Sequence, residues 1–360
     1  MKKKRLLTAL LLSCTLALSV TSVHAADKTV DSYLAYDIVD HSAYEEMDDF
    51  LAADIIDGMV DEDGAVAVKP NQSITRAQFT KILVNALGLT VAPNTKTFSD
   101  VKKLDWHYEY ITIASSLGIV TGRPDGKFYP YEQIKREHMA VMIHRAFKKS
   151  VTFKNTNKPF KDVPSSHWAY QEIHESSSVG IINGYTATNE FRPLKNATRA
   201  QAVLMIHRAL KQETKNLPNA QAITSLVKQQ IDKENQLVKV NDFSGLTALY
   251  NQHTTGFYKV AGLDSLEMLQ FFVNDLGAKF SVEPIGTYSI SVKHLNDRYV
   301  QVETKDMKQK VNVEIETSKV EEVLDVSGIY SLKKEASGAW KIYNFVPNDE
   351  SLAGYPLFGF

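Results

Sequence analysis

Phe98-Ser-Asp-Val101 and Phe160-Lys-Asp-Val163 open two stretches of this chain that then run in step. Each continues to a tryptophan (Trp106, Trp168), a glycine (Gly122, Gly184) and an aromatic-x-proline (Phe128-Tyr-Pro130, Phe191-Arg-Pro193). Each closes with an arginine (Arg136, Arg199) and an identical string, Met142-Ile-His-Arg-Ala146 and Met205-Ile-His-Arg-Ala209. Tryptophan and glycine are 16 residues apart in both. A worn copy precedes them, since Tyr44 to Gly58, Tyr108 to Gly122 and Tyr170 to Gly184 are each 14 apart. A fixed period signals a repeat architecture. Copy one covers 31–90, copy two 98–149 and copy three 160–210.

Within a copy, an amphipathic stretch such as Trp168-Ala-Tyr-Gln-Glu-Ile173 runs to the glycine. A polar loop with a turn signal (Asp125-Gly126) follows, and then a second helix. Thr75-Arg-Ala-Gln78 and Thr198-Arg-Ala-Gln201 fit a capping box, which puts Arg76 and Arg199 in a first helical turn. The helix dipole does not favour a cation there. Two readings account for it: pairing with a neighbouring carboxylate, or an anion site in which free backbone N–H groups and the guanidinium act together. Copy two departs from the pattern with Ile134-Lys-Arg-Glu-His138, which keeps Arg136 but loses the Thr and the Gln. His144 and His207 recur inside helices without a second ligand at helical spacing, so they read as packing or surface residues and no metal site is expected.

The amino terminus has a basic start, Met1-Lys-Lys-Lys-Arg5, an apolar run from Leu6 to Val20 and a small-x-small site ending at Ala25. This is the pattern of a signal peptide over 1–25 and of an exported protein. Cys14 opens a lipoprotein alternative, at the cost of a very short apolar region before it. Cys14 is the only cysteine, so the mature chain is expected to hold no disulfide, thiol nucleophile or thiolate metal site. The formal net charge of −1 argues against nucleic acid and, once the signal is removed, against a membrane surface as partner.

The repeated residues resemble the S-layer homology (SLH) family, whose repeats follow the order F-x-D-V, W, G, F-x-P and an Arg-led helix. The resemblance implies an all-α, pseudo-threefold repeat domain and non-covalent binding of pyruvylated secondary cell-wall polysaccharide in grooves between repeats. Carried over position by position, it makes Arg76, Arg136 and Arg199 binders of the pyruvate-ketal carboxylate. It makes Trp106 and Trp168 stacking faces for sugars, Asp100 and Asp162 hydroxyl acceptors, and Gly122 and Gly184 points of close backbone approach. Structural roles compete with these: core packing for the tryptophans and helix capping for the aspartates. Copy one has Ser42 where the pattern expects Trp, so fewer than three working grooves are expected.

After a polar linker over 211–219, the stretches Gln221–Gln236, Phe243–Tyr250 and Ser265–Leu276 read as helices. Alternation at Tyr288, Ile290 and Val292 and at Val311, Val313 and Ile315 then reads as strands. Tyr330-Ser-Leu332, the turn Ala336-Ser-Gly338 and Trp340-Lys-Ile-Tyr-Asn-Phe345 form a hairpin pattern. Helices followed by strands over 220–347 point to an α+β domain with helices on one face of an antiparallel sheet. That order resembles the nuclear-transport-factor-like fold, which hosts enzymes and binding modules alike, so the fold alone assigns no activity. His253, placed in a polar loop, and His294 show no partner carboxylate at motif spacing, and no catalytic residue or cofactor is assigned. An apolar tail, 348–360, ends the chain.

The expectation is therefore a secreted, wall-associated protein whose carboxy-terminal half is a non-catalytic module for an unknown ligand. The alternatives are a wall-tethered hydrolase or isomerase and a subunit of a surface lattice.

Overall fold

In the computed structural model, which describes residues 28–93, 95–349 and 352, three backbone hydrogen bonds close a ring. Ile74 N–H donates to the Ala197 carbonyl (3.1 Å), Ala197 N–H to Ile134 (2.8 Å) and Ile134 N–H to Ile74 (2.9 Å). One bond from each repeat to the next, returning to the start, is what a pseudo-threefold arrangement requires. The signal peptide expected over 1–25 lies outside the described residues, as does the tail from 353 onward.

Each repeat contributes a short first helix (α1, Tyr44–Ala52; α3, Tyr108–Ser116; α5, Tyr170–Ser178) and a longer second one (α2, Arg76–Leu87; α4, Arg136–Phe147; α6, Arg199–Lys211). The second helices bury Phe79, Leu83, Met139, Ile143, Val203 and Ile206 in one core, as apolar residues at helical spacing should. The capping boxes form as read: Thr75 Oγ1 accepts from Gln78 N–H (3.2 Å) and Thr198 Oγ1 from Gln201 N–H (3.3 Å). Lys135, at the start of α4, offers no such cap.

The loop of the next repeat also caps each second helix. Arg76 and Ala77 N–H donate to the carbonyls of Glu132 and Pro130, Arg136 and Glu137 to Lys195 and Pro193, and Arg199 and Ala200 to Gln72 and Pro70. The first-turn amides that the anion-site reading left free are therefore occupied by neighbouring carbonyls. That part of the reading is corrected, because a buried helix start must satisfy its orphan donors within the protein.

Beyond the repeats lie three helices, α7 (Ala220–Lys239), α8 (Phe243–His253) and α9 (Gly256–Asn274), then strands. The single expected sheet is two antiparallel sheets, a four-stranded one (β2, Ser289–Leu295; β3, Tyr299–Lys305; β6, Gly328–Lys334; β7, Trp340–Pro347) and a three-stranded one (β1, Lys279–Ile285; β4, Lys308–Ile315; β5, Ser318–Asp325). One hairpin runs through both, and side chains interrupt its ladder at the corner. Met307 N–H donates to Ser327 Oγ (2.9 Å) and Gly328 N–H to Thr304 Oγ1 (3.0 Å), with Asp306 at a positive φ of 59°. Such a break bends a sheet. His253 is the last residue of α8, buried and bonded through Nδ1 to Gln230 Oε1 (3.1 Å), not a loop residue.

The carboxy-terminal half docks on the ends of α2 and α6 where those helices finish. Arg298 Nε–H donates to the Leu87 carbonyl (3.1 Å) and Asn296 Nδ2–H to the carbonyls of Lys211 and Glu213. Tyr343 Oη–H donates to Asp49 Oδ1 (2.7 Å), and Tyr299 and Tyr343 belong to the core of the repeats. Arg76 and Arg199 lie at the opposite ends of those helices.

Candidate functional site

The Arg76, Arg136 and Arg199 side chains are all buried, and none forms an ion pair with a carboxylate among the described residues. Arg76 donates from Nε to the Phe128 carbonyl (2.9 Å) with its guanidinium carbon 4.7 Å from that ring's centre. Arg136 does the same at Phe191 (2.8 Å, 4.7 Å). Arg199 departs, donating from Nη2 to the Asp57 carbonyl (2.7 Å) and leaving Nε buried without a partner. Burial lowers the pKa of all three below the ordinary guanidinium range, and Arg123 adds to the effect at Arg76.

One cavity collects several of the expected residues. It encloses about 220 Å³ between copies two and three, against Arg76 of copy one, and is lined by Arg76, Gly122, Arg123, His138, Arg145 and Trp168, among others. No carboxylate lines it. Arg123 pairs with Glu132 at 2.5 Å, at the rim. Burial and the Arg76 guanidinium lower the pKa of His138, so its imidazole is neutral at neutral pH. Trp168 leaves 55% of its surface in solvent and its ring centre lies 5.2 Å from that of His138. The cavity thus gathers the guanidinium groups of Arg76, Arg123 and Arg145 and one aromatic face, with no lining carboxylate.

The other expected residues have structural work to do, as does Gly122, which also lines the cavity. Asp100 holds the Phe128 and Tyr129 N–H groups (2.8 and 2.7 Å) and Asp162 those of Phe191 and Arg192 (2.8 and 2.7 Å). These aspartates clamp a loop; they do not cap a helix. Asp37 does the same for Val68 and Lys69 in copy one. Gly122 and Gly184 have positive φ (68° and 60°), and an added Cβ would lie 2.4 Å from the ring of Phe98 or Phe160. They are glycine because the phenylalanine of their own repeat packs on them. Trp106 is half exposed beside buried His107, with ring centres 5.2 Å apart, and does not line the cavity. Neither tryptophan is a core residue.

Sequence reading missed Arg123, Arg145 and His138 as lining groups. Arg145 stood in the repeated string and His138 in the flagged departure of copy two, but neither position shows by itself that it turns toward Arg76. His144 and His207 each face a carboxylate of the next repeat, Glu175 (2.7 Å) and Asp49 (3.4 Å).

Residues 97–140 and 159–203 match the S-layer homology domain. The chain thus carries two S-layer homology repeats by sequence, and its first repeat joins their ring by geometry. It is 34% identical over 176 residues to an amylopullulanase of Thermoanaerobacterium thermosulfurigenes, covering 48% of this chain and 9% of that protein. It is 30% identical over 149 residues to a cellulosome-anchoring protein of Acetivibrio thermocellus (39% and 33%). It is 27% identical over 279 residues to the middle cell wall protein of Brevibacillus brevis (73% and 25%). That last alignment is longer than the first 210 residues, so the similarity enters the carboxy-terminal half. The chain spans a third or less of each of these relatives. Among solved structures, the intermembrane space region of chloroplast protein ARC6 aligns at a TM-score of 0.28 and 12% identity, over 36% of this chain and 96% of that one, which carries no argument.

Proposed function

We propose that this is an exported cell-surface protein held non-covalently to the wall by its S-layer homology repeats, with pyruvylated secondary cell-wall polysaccharide as the bound polymer. The cavity of Arg76, Arg123, Arg145 and Trp168 carries the reading. It offers guanidinium groups to a compact carboxylate and an exposed indole to the sugar that bears it. The similarity to a cellulosome-anchoring protein and to a middle cell wall protein supports the same assignment. The carboxy-terminal half, fixed at the far ends of α2 and α6, is then displayed away from the polymer as a binding module without catalytic chemistry.

Co-sedimentation of the full chain with purified walls tests this. Walls would keep their secondary polymer, lack it, or lack only its pyruvyl groups. Binding that disappears with the pyruvyl groups is the expected result. Equal binding to all three overturns the carboxylate role.

A further inference from the structure

The departure of copy two from the repeat pattern does something that its sister repeats cannot. At the second helical position, copies one and three carry Ala77 and Ala200, while copy two carries Glu137, buried in the first turn of α4. A carboxylate is favoured at that end of a helix, which helps this one to stay in the interior. Its Oε2 accepts from the Trp168 indole N–H at 3.2 Å and lies 3.1 Å from His167 Nε2. His167 Nδ1 meanwhile accepts from the Ala169 N–H (3.2 Å), so in the neutral ring the proton sits on Nε2 and is donated to Glu137. One carboxylate oxygen from copy two thus gathers two ring N–H donors from copy three. The indole is flanked by His138 and His167, with ring centres 5.2 and 6.2 Å away.

We infer that Glu137 is the positioning residue of the cavity: it fixes the exposed Trp168 ring in the pose that stacks on a sugar whose anionic substituent lies against Arg76 and Arg123. This rests on the proposed function and adds to it that the groove between copies two and three is a specialised site. The physical case is pre-organisation. An indole more than half in solvent would ordinarily be ordered by its ligand, at an entropic cost to binding. A buried acceptor sets the ring plane beforehand, and a planar ring of fixed pose is what an apolar sugar face needs. Copy one of the chain offers Ser42 at the tryptophan position, and the helix facing Trp106 is that of copy one, with Ala77, so neither of the other grooves repeats the device.

The test uses the full chain with Trp106→Phe and Trp340→Phe, which leaves Trp168 as its sole tryptophan. Glu137→Ala is expected to lower the fluorescence anisotropy of Trp168 without ligand and to weaken binding to polymer-bearing walls about tenfold, as for one hydrogen bond to a charged group. Glu137→Gln, which keeps an acceptor oxygen, is expected to recover most of both. Unchanged anisotropy in Glu137→Ala overturns the positioning role. Lowered anisotropy with undiminished binding overturns its link to the ligand. Parent protein that ignores polymer-bearing walls refutes the proposed function and the ligand half of this inference. The two failures are told apart because the anisotropy is read without any wall present. Should Glu137→Ala not fold, exchange of the Trp168 indole N–H in the parent decides: protection supports the inference, and exchange at the rate of free indole overturns it.

Discussion

Arg76 of copy one donates its Nε–H to the carbonyl of Phe128 in copy two at 2.9 Å, and the guanidinium lies over the same residue's ring. The residue expected to meet a ligand is therefore also a clasp between repeats. Replacing it would disturb the fold and the site at once, so the anion site is better probed through a neighbour.

Arg123 is that neighbour. Its side chain is 39% exposed and its partner Glu132 is 37% exposed, and such rim pairs add little to stability. Arg123→Ala is expected to leave the melting temperature nearly unchanged and to weaken wall binding by about 1–3 kcal/mol, the scale of a charged hydrogen bond lost. Arg199→Ala should cost less binding, because its Nη2 is engaged by the Asp57 carbonyl. Co-sedimentation and thermal unfolding of the two variants side by side check the order.

Asp162→Asn tests the loop clamp. Asp162 accepts two backbone N–H groups, one from Arg192, which sits at φ 59° in the left-handed region. An amide can accept from only one of them and presents its NH₂ to the other. The expected loss is about 2–3 kcal/mol of stability, read in thermal unfolding. Arg192→Gly in the same background should return about 1 kcal/mol by removing the left-handed strain.

The clamp also shows what was legible in the sequence. Asp100 and Asp162 were visible through the flanking Phe and Val, but Asp37 hid in Ala35-Tyr36-Asp37-Ile38, where the phenylalanine is lost. It also stands seven residues before Tyr44, whereas the spacing is eight in the other copies. The repeat period and the helix caps could be read because they are local. The cavity could not, since Arg76, His138 and Trp168 come from three different repeats and meet only when the ring closes. Alternation marked the strands at 289–295 and 308–315, and the hairpin pattern those at 328–334 and 340–347, but the strands at 279–285, 299–305 and 318–325 and the division into two sheets were not read. That division depends on Thr304 and Ser327 side chains taking backbone partners at one corner.

Glu234 is expected to make the stability of the carboxy-terminal half depend on pH. Burial raises its pKa from 4.5 to about 7, although Tyr250, Gln230 and Tyr258 favour the ionised form. The unfolded chain ionises near 4.5 and the folded chain only near 7, so the native state holds the extra proton between them. Stability from this group is fully present below the lower value and declines as pH rises through the window, by roughly 3 kcal/mol in all. Glu234→Gln is expected to remove that slope and to be the more stable protein at pH values above 7. Denaturant unfolding of both proteins across the window, compared as a difference, isolates the contribution.

We predict that the ion pair between Arg298 and Glu213 keeps the two halves unfolding together. Glu213 is 1% exposed, at the end of the repeat half, and its carboxylate also accepts from the Arg298 backbone N–H at 3.2 Å. Burial raises its pKa, and the Arg298 guanidinium opposes that rise. Arg298→Met would leave an ionised carboxylate buried without its partner, at a cost of about 3–5 kcal/mol. It would also remove the Nε–H bond to Leu87 that ties the sheet to the end of α2. The loss should be smaller below the raised pKa of Glu213, where the carboxyl is protonated in the folded state, and should grow as pH rises through it. Adding Glu213→Gln should restore much of the stability but not the Leu87 tie. Calorimetry is expected to show one unfolding transition for the parent chain and two for Arg298→Met near neutral pH. A single transition at unchanged temperature in that variant would mean that the Tyr299 and Tyr343 packing alone joins the halves.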